Sequence, residues 1–318
     1  MTVKLYSPQD FPAYLPKLNA LYEELFTGGK GFRAKLVSLV AEPLGINSKT
    51  QALLNQTVEF IHNASLLHDD LVDRSSLRRG KKAAWLKYTP EYAVLAGDYL
   101  LARVMVNLSS HGNIRLVQYT SQVISDLLEG EWLQDSIVGD YFIQLEQLDR
   151  IHNLKTASLF KWCLRAPFIA DERYDENLHQ LLEELGTILG QLFQRGDDLL
   201  DYDIRNDEGK ILLGDLKAGY LNSFGTYLTK DMSRAKIDVF IKSNTLDDVY
   251  RGFHADLNQG KLLFLAKVSE FDAMNEKLIQ LYDHLLSQLQ GLLKPNEIAI
   301  VQNLRPLTEL LYWRRKPS

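Results

Sequence analysis

Cysteine is nearly missing from this chain of 318 residues, and Cys163 is its only representative. No intrachain disulfide can form and no cysteine-based zinc site is available, so a reducing compartment is expected. Glycine and proline are scarce, with 19 and 9 residues. That argues against a many-stranded β architecture, which needs frequent turns, and favours long helices. No run of about 18 apolar residues occurs, so no transmembrane helix is expected. The opening stretch carries Pro8, Asp10, Pro12 and Pro16 in place of the basic start and apolar core of a signal peptide. A cytoplasmic protein is expected. An excess of positive charge is also lacking, since 36 Lys and Arg face 41 Asp and Glu for a net charge of −5. Nucleic acid needs a basic face and is disfavoured as the main partner.

What is present is ordinary for a folded protein, with 46% hydrophobic and 24% charged residues, which excludes intrinsic disorder as the general state. Apolar residues recur at spacings of three and four over long stretches, the mark of helices. Helices are expected over 48–73, 91–108, 114–133, 145–166, 177–202, 233–241, 262–293 and 296–313. Ser48-Lys49-Thr50-Gln51 suggests a capping box opening the first. Leu54, Val58, Ile61, Ser65 and Val72 form its expected apolar stripe. Loops are expected at 27–30, 79–82 and 206–210, and each carries a cation, which hints at something anionic between helices. With no linker, repeat or strand alternation, the reading is a single all-α domain over 1–318, with about a dozen helices.

His68-Asp69-Asp70-Leu71-Val72-Asp73 closes the first long helical pattern. In a helix Asp69 and Asp73 lie about 40° apart around the axis and about 6 Å along it, so their carboxylates can converge. The pattern recurs as Asp197-Asp198-Leu199-Leu200-Asp201. Like charges four apart repel, and a helix C-terminus disfavours anions. A chain that does this twice needs a compensating cation. Magnesium suits carboxylate oxygens and shares ligands with phosphates. The plainer reading of one such cluster is a solvated acidic face, and its repetition after a second apolar helix weakens that reading. Lys30, Arg33, Arg78, Arg79, Lys155 and Lys210 lie near expected turns or helix ends. Arginine suits bidentate phosphate contacts and lysine a point charge.

Taken together these motifs resemble the trans-isoprenyl diphosphate synthases, the polyprenyl synthetases. The first aspartate motif is followed by Leu77-Arg78-Arg79-Gly80-Lys81 and Leu95-Ala96-Gly97-Asp98. Gly28-Gly29-Lys30-Gly31-Phe32-Arg33 is similar to the family's GGKxxR, and Lys155-Thr156-Ala157 to its KTA. Gly190-Gln191-Leu192-Phe193-Gln194 precedes the second aspartate motif, and Arg314-Arg315-Lys316 resembles a basic tail that some members fold over the site. The motifs stand in the family's order from residue 28 to about 219.

The resemblance implies a helical bundle around a deep central cavity, the isoprenoid synthase fold, as a homodimer. It implies magnesium, three ions, held by Asp69, Asp70, Asp73 and Asp197 with Asp198 and Asp201 in support. Lys155, Thr156, Gln194, Lys210 and Arg78 would hold an allylic diphosphate, and Lys30, Arg33, His62 and Arg79 isopentenyl diphosphate. Asp69, Asp70, Asp73, Asp197, Lys155 and Arg78 would carry the chemistry, whose product is an all-trans polyprenyl diphosphate. In the family, bulky aromatics four or five positions before the first aspartate stop short products. Here those positions are Ala64 and Ser65, with Phe60 and Ile61 one turn earlier, which favours twenty carbons or longer. The alternative is that Ala64 and Ser65 only allow close helix packing, and a short-chain farnesyl or geranyl synthase stays open.

Four residues depart from the family pattern. Arg195 and Gly196 intervene before Asp197, Tyr220 stands where a second loop lysine is usual, and Ala34 replaces the proline that often follows the N-terminal arginine. Lys217 is a candidate replacement for the missing lysine. A terpene cyclase would carry a different second metal motif, which is not found. A non-catalytic partner subunit would lose one aspartate motif, and both are kept.

Overall fold

The computed structural model describes residues 10–27, 31–78, 80–203 and 212–314. The chain runs through α1 (Pro16–Thr27), α2 (Phe32–Leu44) and α3 (Ser48–Val72) into a short ribbon of β1 (Leu77–Arg78) and β2 (Lys81–Lys82). Next come α4 (Ala84–Lys87), α5 (Pro90–His111), α6 (Ile114–Ser136) and α7 (Leu145–His152). A π-turn over Asn153–Ala157 leads to α8 (Ser158–Ala170) and α9 (Glu176–Leu200). Then follow α10 (Gly214–Lys217), α11 (Ser223–Thr229), α12 (Arg234–Phe240), α13 (Leu246–Phe253) and the 36-residue α14 (Leu257–Leu292). A 3₁₀ turn over Pro295–Glu297 precedes α15 (Ala299–Leu304) and α16 (Leu307–Tyr312). The all-α expectation holds, and the only strands among the described residues are the two of the antiparallel ribbon, Leu77 opposite Lys82 and Arg78 opposite Lys81.

Contacts divide the chain into two units. One comprises Met1–Ser125, Leu159–Gly186 and Leu289–Leu304, the other Asp126–Ser158, Thr187–Gln288 and Arg305–Ser318. The first unit is built on α3. Leu54, Val58, Ile61, Ala64 and Leu67 recur at three and four residues and are all buried. They pack against α2 and against α5, whose Ala93, Ala96, Leu100, Val104 and Leu108 form the matching stripe. In the same unit, buried Trp162 on α8 donates its indole N–H to Thr120 Oγ1 on α6 at 3.0 Å. The second unit is centred on Phe224 of α11, a helix buried at every residue. Its ring meets Tyr202 edge-on at 5.2 Å, Phe264 at 5.7 Å and Phe271 at 5.2 Å.

Several local expectations are corrected. The cap of α3 is Asn47, whose side chain accepts from Thr50 N at 3.0 Å, while Gln51 turns to Glu42 instead of closing a capping box. Val72 is exposed because it lies in the last turn, beyond the reach of the core. The expected helix 145–166 contains the π-turn at 153–157. The expected helix 296–313 is three pieces, since Pro306 lacks an N–H and starts a new helix instead of continuing the old one. Helices α1, α2, α4, α10, α11 and α13 were not foreseen.

Candidate active site

In the first unit, α3 ends in its aspartate motif, with Asp69 half-buried, Asp70 buried and Asp73 exposed at the C-cap. Asp73 N still donates to Asp69 O at 2.8 Å, so the two residues keep the one-turn helical spacing. Asp70 is committed elsewhere. Its Oδ1 accepts from Arg78 Nε at 2.8 Å and also from Arg78 Nη2. The ribbon makes this possible by folding Arg78 back onto the helix end, and Trp85 Nε1 fixes the turn by donating to Ser75 O at 2.8 Å. A cavity of about 110 Å³ borders this pair, walled by Leu21, Leu25, Leu66 and Leu67 and rimmed by Lys81 and Lys87.

Two further expected residues meet in the same unit. Arg33 Nη1 lies 3.1 Å from His62 Nε2. A guanidinium only donates, so Nε2 accepts and the neutral ring carries its proton on Nδ1. The Arg33 backbone is held as well, since Cys163 Sγ donates to its carbonyl at 3.6 Å. The next amide, Ala34 N, donates to Glu59 Oε1 at 3.1 Å. Phe60, Ile61 and Ala64 are wholly buried. Phe60 packs on Phe11 and Phe26, and half-buried Ser65 donates to His62 O at 2.9 Å. Lys30 and Arg79 lie outside the described residues.

In the second unit, α9 lies against the π-turn so closely that a Cβ on Gly190 would stand 2.4 Å from Ala157 Cα. This approach places Thr156 Oγ1 3.0 Å from Gln194 Oε1, to which it donates. Gln194 Nε2 donates onward to Asp198 Oδ1 at 2.8 Å. The other oxygen of Asp198 accepts from Ser223 N at 2.9 Å and Ser223 Oγ at 2.5 Å. Burial pushes the Asp198 carboxyl up, and the bonds from Ser223 and Gln194 oppose that shift. Asp201 Oδ1 accepts from Gly214 N at 2.8 Å. Asp197 is the half-buried member of the trio, and its Oδ1 lies 3.2 Å from Arg314 Nη2. Lys155 in the π-turn pairs with Glu131 Oε2 on α6. Lys210, Arg315 and Lys316 lie outside the described residues.

The departures from the expected pattern acquire structural roles. Arg195 is buried and donates through Nη2 to both oxygens of Asp149, at 2.9 and 2.8 Å, and through Nη1 to Asn275 Oδ1 at 2.8 Å. It ties α9 to α7 and α14. Lys217 is exposed and donates to Leu212 O at 2.9 Å. Glu131, Ser223 and Asn275 were missed by the sequence reading, because nothing in local spacing marks a partner so distant in the chain.

Both aspartate motifs share one design. Each keeps buried carboxyls bonded within its own unit, Asp70 to Arg78 in the first and Asp198 to Ser223 and Asp201 to Gly214 in the second, while Asp69, Asp73 and Asp197 are more accessible. Among the described residues, no group of three or more His, Cys, Asp or Glu is placed to hold a metal by itself. This donor set of hard oxygens fits magnesium, which takes one or two carboxylates and completes its shell with water and substrate phosphate. Among the described residues no helix is long and apolar enough to cross a membrane.

A family model described as polyprenyl synthetase matches residues 15–250. The octaprenyl diphosphate synthase of Escherichia coli (strain K12) is 35% identical over 193 residues, which cover 60% of this chain and 59% of that protein. The decaprenyl-diphosphate synthase of Dictyostelium discoideum is 33% identical over 247 residues, 77% of this chain and 54% of that protein. The match thus spans less than two thirds of the length of either relative. Among solved structures, a decaprenyl diphosphate synthase from Rhodobacter capsulatus superposes with a TM-score of 0.77 at 24% identity, covering 99% of this chain and 94% of that one. A polyprenyl synthase from Caulobacter crescentus CB15, complexed with calcium and isoprenyl diphosphate, gives a TM-score of 0.75 at 25% identity, covering 99% and 92%. The fold is that of these helical isoprenyl synthases.

Proposed function

The chain belongs to the polyprenyl synthetase family, and on that premise we propose that it is a magnesium-dependent prenyltransferase. It joins isopentenyl diphosphate to an allylic diphosphate and makes an all-trans polyprenyl diphosphate of twenty carbons or longer. The observation that carries this reading is the recurrence in both aspartate motifs of buried, bonded carboxyls beside more accessible ones, Asp69 and Asp73 in the first and Asp197 in the second. The long-chain names of the relatives support the product class.

In this reading Asp69, Asp73 and Asp197 hold the metal ions, while Asp70, Asp198 and Asp201 position them and the adjoining backbone. Held there, magnesium would supply charge neutralisation for the leaving diphosphate. Arg78 and Lys155 add positive charge for the allylic diphosphate, each held within its own unit, by Asp70 and by Glu131. Thr156 and Gln194 orient Asp198 and present polar atoms to the allylic substrate, together with Lys210. Arg33, backed by His62, and the residues Lys30 and Arg79 bind isopentenyl diphosphate. The double bond of that substrate attacks the allylic cation, and the product forms when a proton leaves to the released diphosphate. No side-chain nucleophile is required. A cytoplasmic homodimer of single-domain chains belongs to the same reading.

Mass spectrometry of products tests it. Purified protein with isopentenyl diphosphate and geranyl or farnesyl diphosphate should yield linear products only when magnesium is present. Asp69→Ala and Asp197→Ala should each lower turnover by about 10²–10³-fold, the loss typical of one electrostatic stabiliser. Folded protein that makes no product from any starter would sink the reading.

A further inference from the structure

Arg314 is held at the second aspartate motif, and no step of the proposed reaction uses it. Its Nε donates to Leu311 O at 2.9 Å, and its Nη2 to Phe193 O at 3.0 Å and to Asp197 Oδ1 at 3.2 Å. The guanidinium carbon lies 4.6 Å from the centroid of the Phe193 ring. The backbone that delivers it is fixed within the same unit. A Cβ on Gly196 would stand 3.0 Å from the carbonyl oxygens of both Leu311 and Tyr312, so glycine there lets the end of α16 lie directly on α9. Tyr312 OH donates to Asp272 Oδ1 at 2.7 Å and accepts from Asn275 Nδ2 at 3.2 Å, and Asn275 is itself held by Arg195. The two departures in the motif, Arg195 and Gly196, therefore converge on the placement of one guanidinium.

We propose that Arg314 is a built-in counter-ion that competes with the divalent cation for Asp197 and so sets the metal affinity of the second aspartate motif. This rests on the reading of Asp197 as a metal ligand. A guanidinium and a divalent cation repel, and Arg314 already draws on the Asp197 carboxylate that the metal would use. Metal binding then requires Arg314 to leave Asp197, and its contacts with Phe193 and Leu311 resist that movement.

Manganese alone is a suitable probe, titrated into the full chain and followed by electron paramagnetic resonance of the free ion. Removing a half-buried ion pair and a cation–aromatic contact should tighten binding by about three- to tenfold in Arg314→Gln. Arg314→Lys keeps the charge, loses the planar stack and should fall between it and the wild type. In an Asp197→Asn background the Arg314→Gln substitution should change nothing. Equal or weaker manganese binding by both Arg314 variants, with melting temperatures kept, overturns the counter-ion role while leaving Asp197 a ligand. Manganese binding that is unaffected by Asp197→Asn overturns both this role and the assignment of Asp197.

Discussion

His152, at the end of α7, is buried, and its Nδ1 has no hydrogen-bond partner among the described residues. Burial pushes its pKa down to about 4, with Arg195 and Lys155 adding to the effect and Asp149 and Asp215 opposing it. A lowered folded-state value means that the neutral ring stabilises the fold above the unfolded value, and that this contribution is lost as pH falls toward 4. The drop from about 6.5 corresponds to roughly 3 kcal/mol. Urea melts should therefore show stability falling between pH 6.5 and 4, and His152→Asn should flatten that fall. Equal slopes for the two proteins would assign the acid sensitivity elsewhere. Asp198 has the opposite shift, and for the same reason: burial disfavours whichever form is charged.

At the scale of elements, α9 does the most to assemble the surroundings of the second aspartate motif. Gly190 admits the π-turn that carries Lys155 and Thr156, Arg195 clamps α7 and α14, and Gly196 admits α16. A glycine inside a helix costs about 1 kcal/mol relative to alanine, so packing must outweigh propensity here. Gly196→Ala should lose about 1–3 kcal/mol, because its neighbours are backbone carbonyls that cannot move aside. Gly291→Ala near the end of α14 meets no atom within 4 Å and should gain up to about 1 kcal/mol. Thermal melts of the pair check both signs, and a neutral or stabilising Gly196→Ala would contradict the close-approach account. The helical periods of α3, α5, α6 and α9 were legible in the sequence to within a few residues, since each buries a regular stripe. The cap at Asn47, the π-turn and the break at Pro306 were not read correctly, because each depends on one residue outweighing the surrounding pattern.

For the whole molecule, the proposed homodimer can be tested at exposed apolar side chains. Leu95 on α5, and Ile114 and Trp132 on α6, expose 67%, 73% and 77% of their surface. Each is a separate candidate for a contact with another chain. Analytical ultracentrifugation should give twice the chain mass of 36.4 kDa, and Trp132→Glu should shift the protein toward the monomer. A wild-type monomer at micromolar concentration would remove the homodimer from the proposal.

The sequence by itself determined the helical class, the two aspartate motifs and the i, i+4 spacing of Asp69 and Asp73, because helix geometry is local and follows from neighbours within a turn. Tertiary structure decided which carboxyls are anchored and which are accessible. Arg78 takes Asp70 through a ribbon, Ser223 reaches Asp198 across 25 residues, and Arg314 reaches Asp197 across 117. Such pairings depend on burial and on chain return, and neither leaves a mark in the spacing of the motif itself.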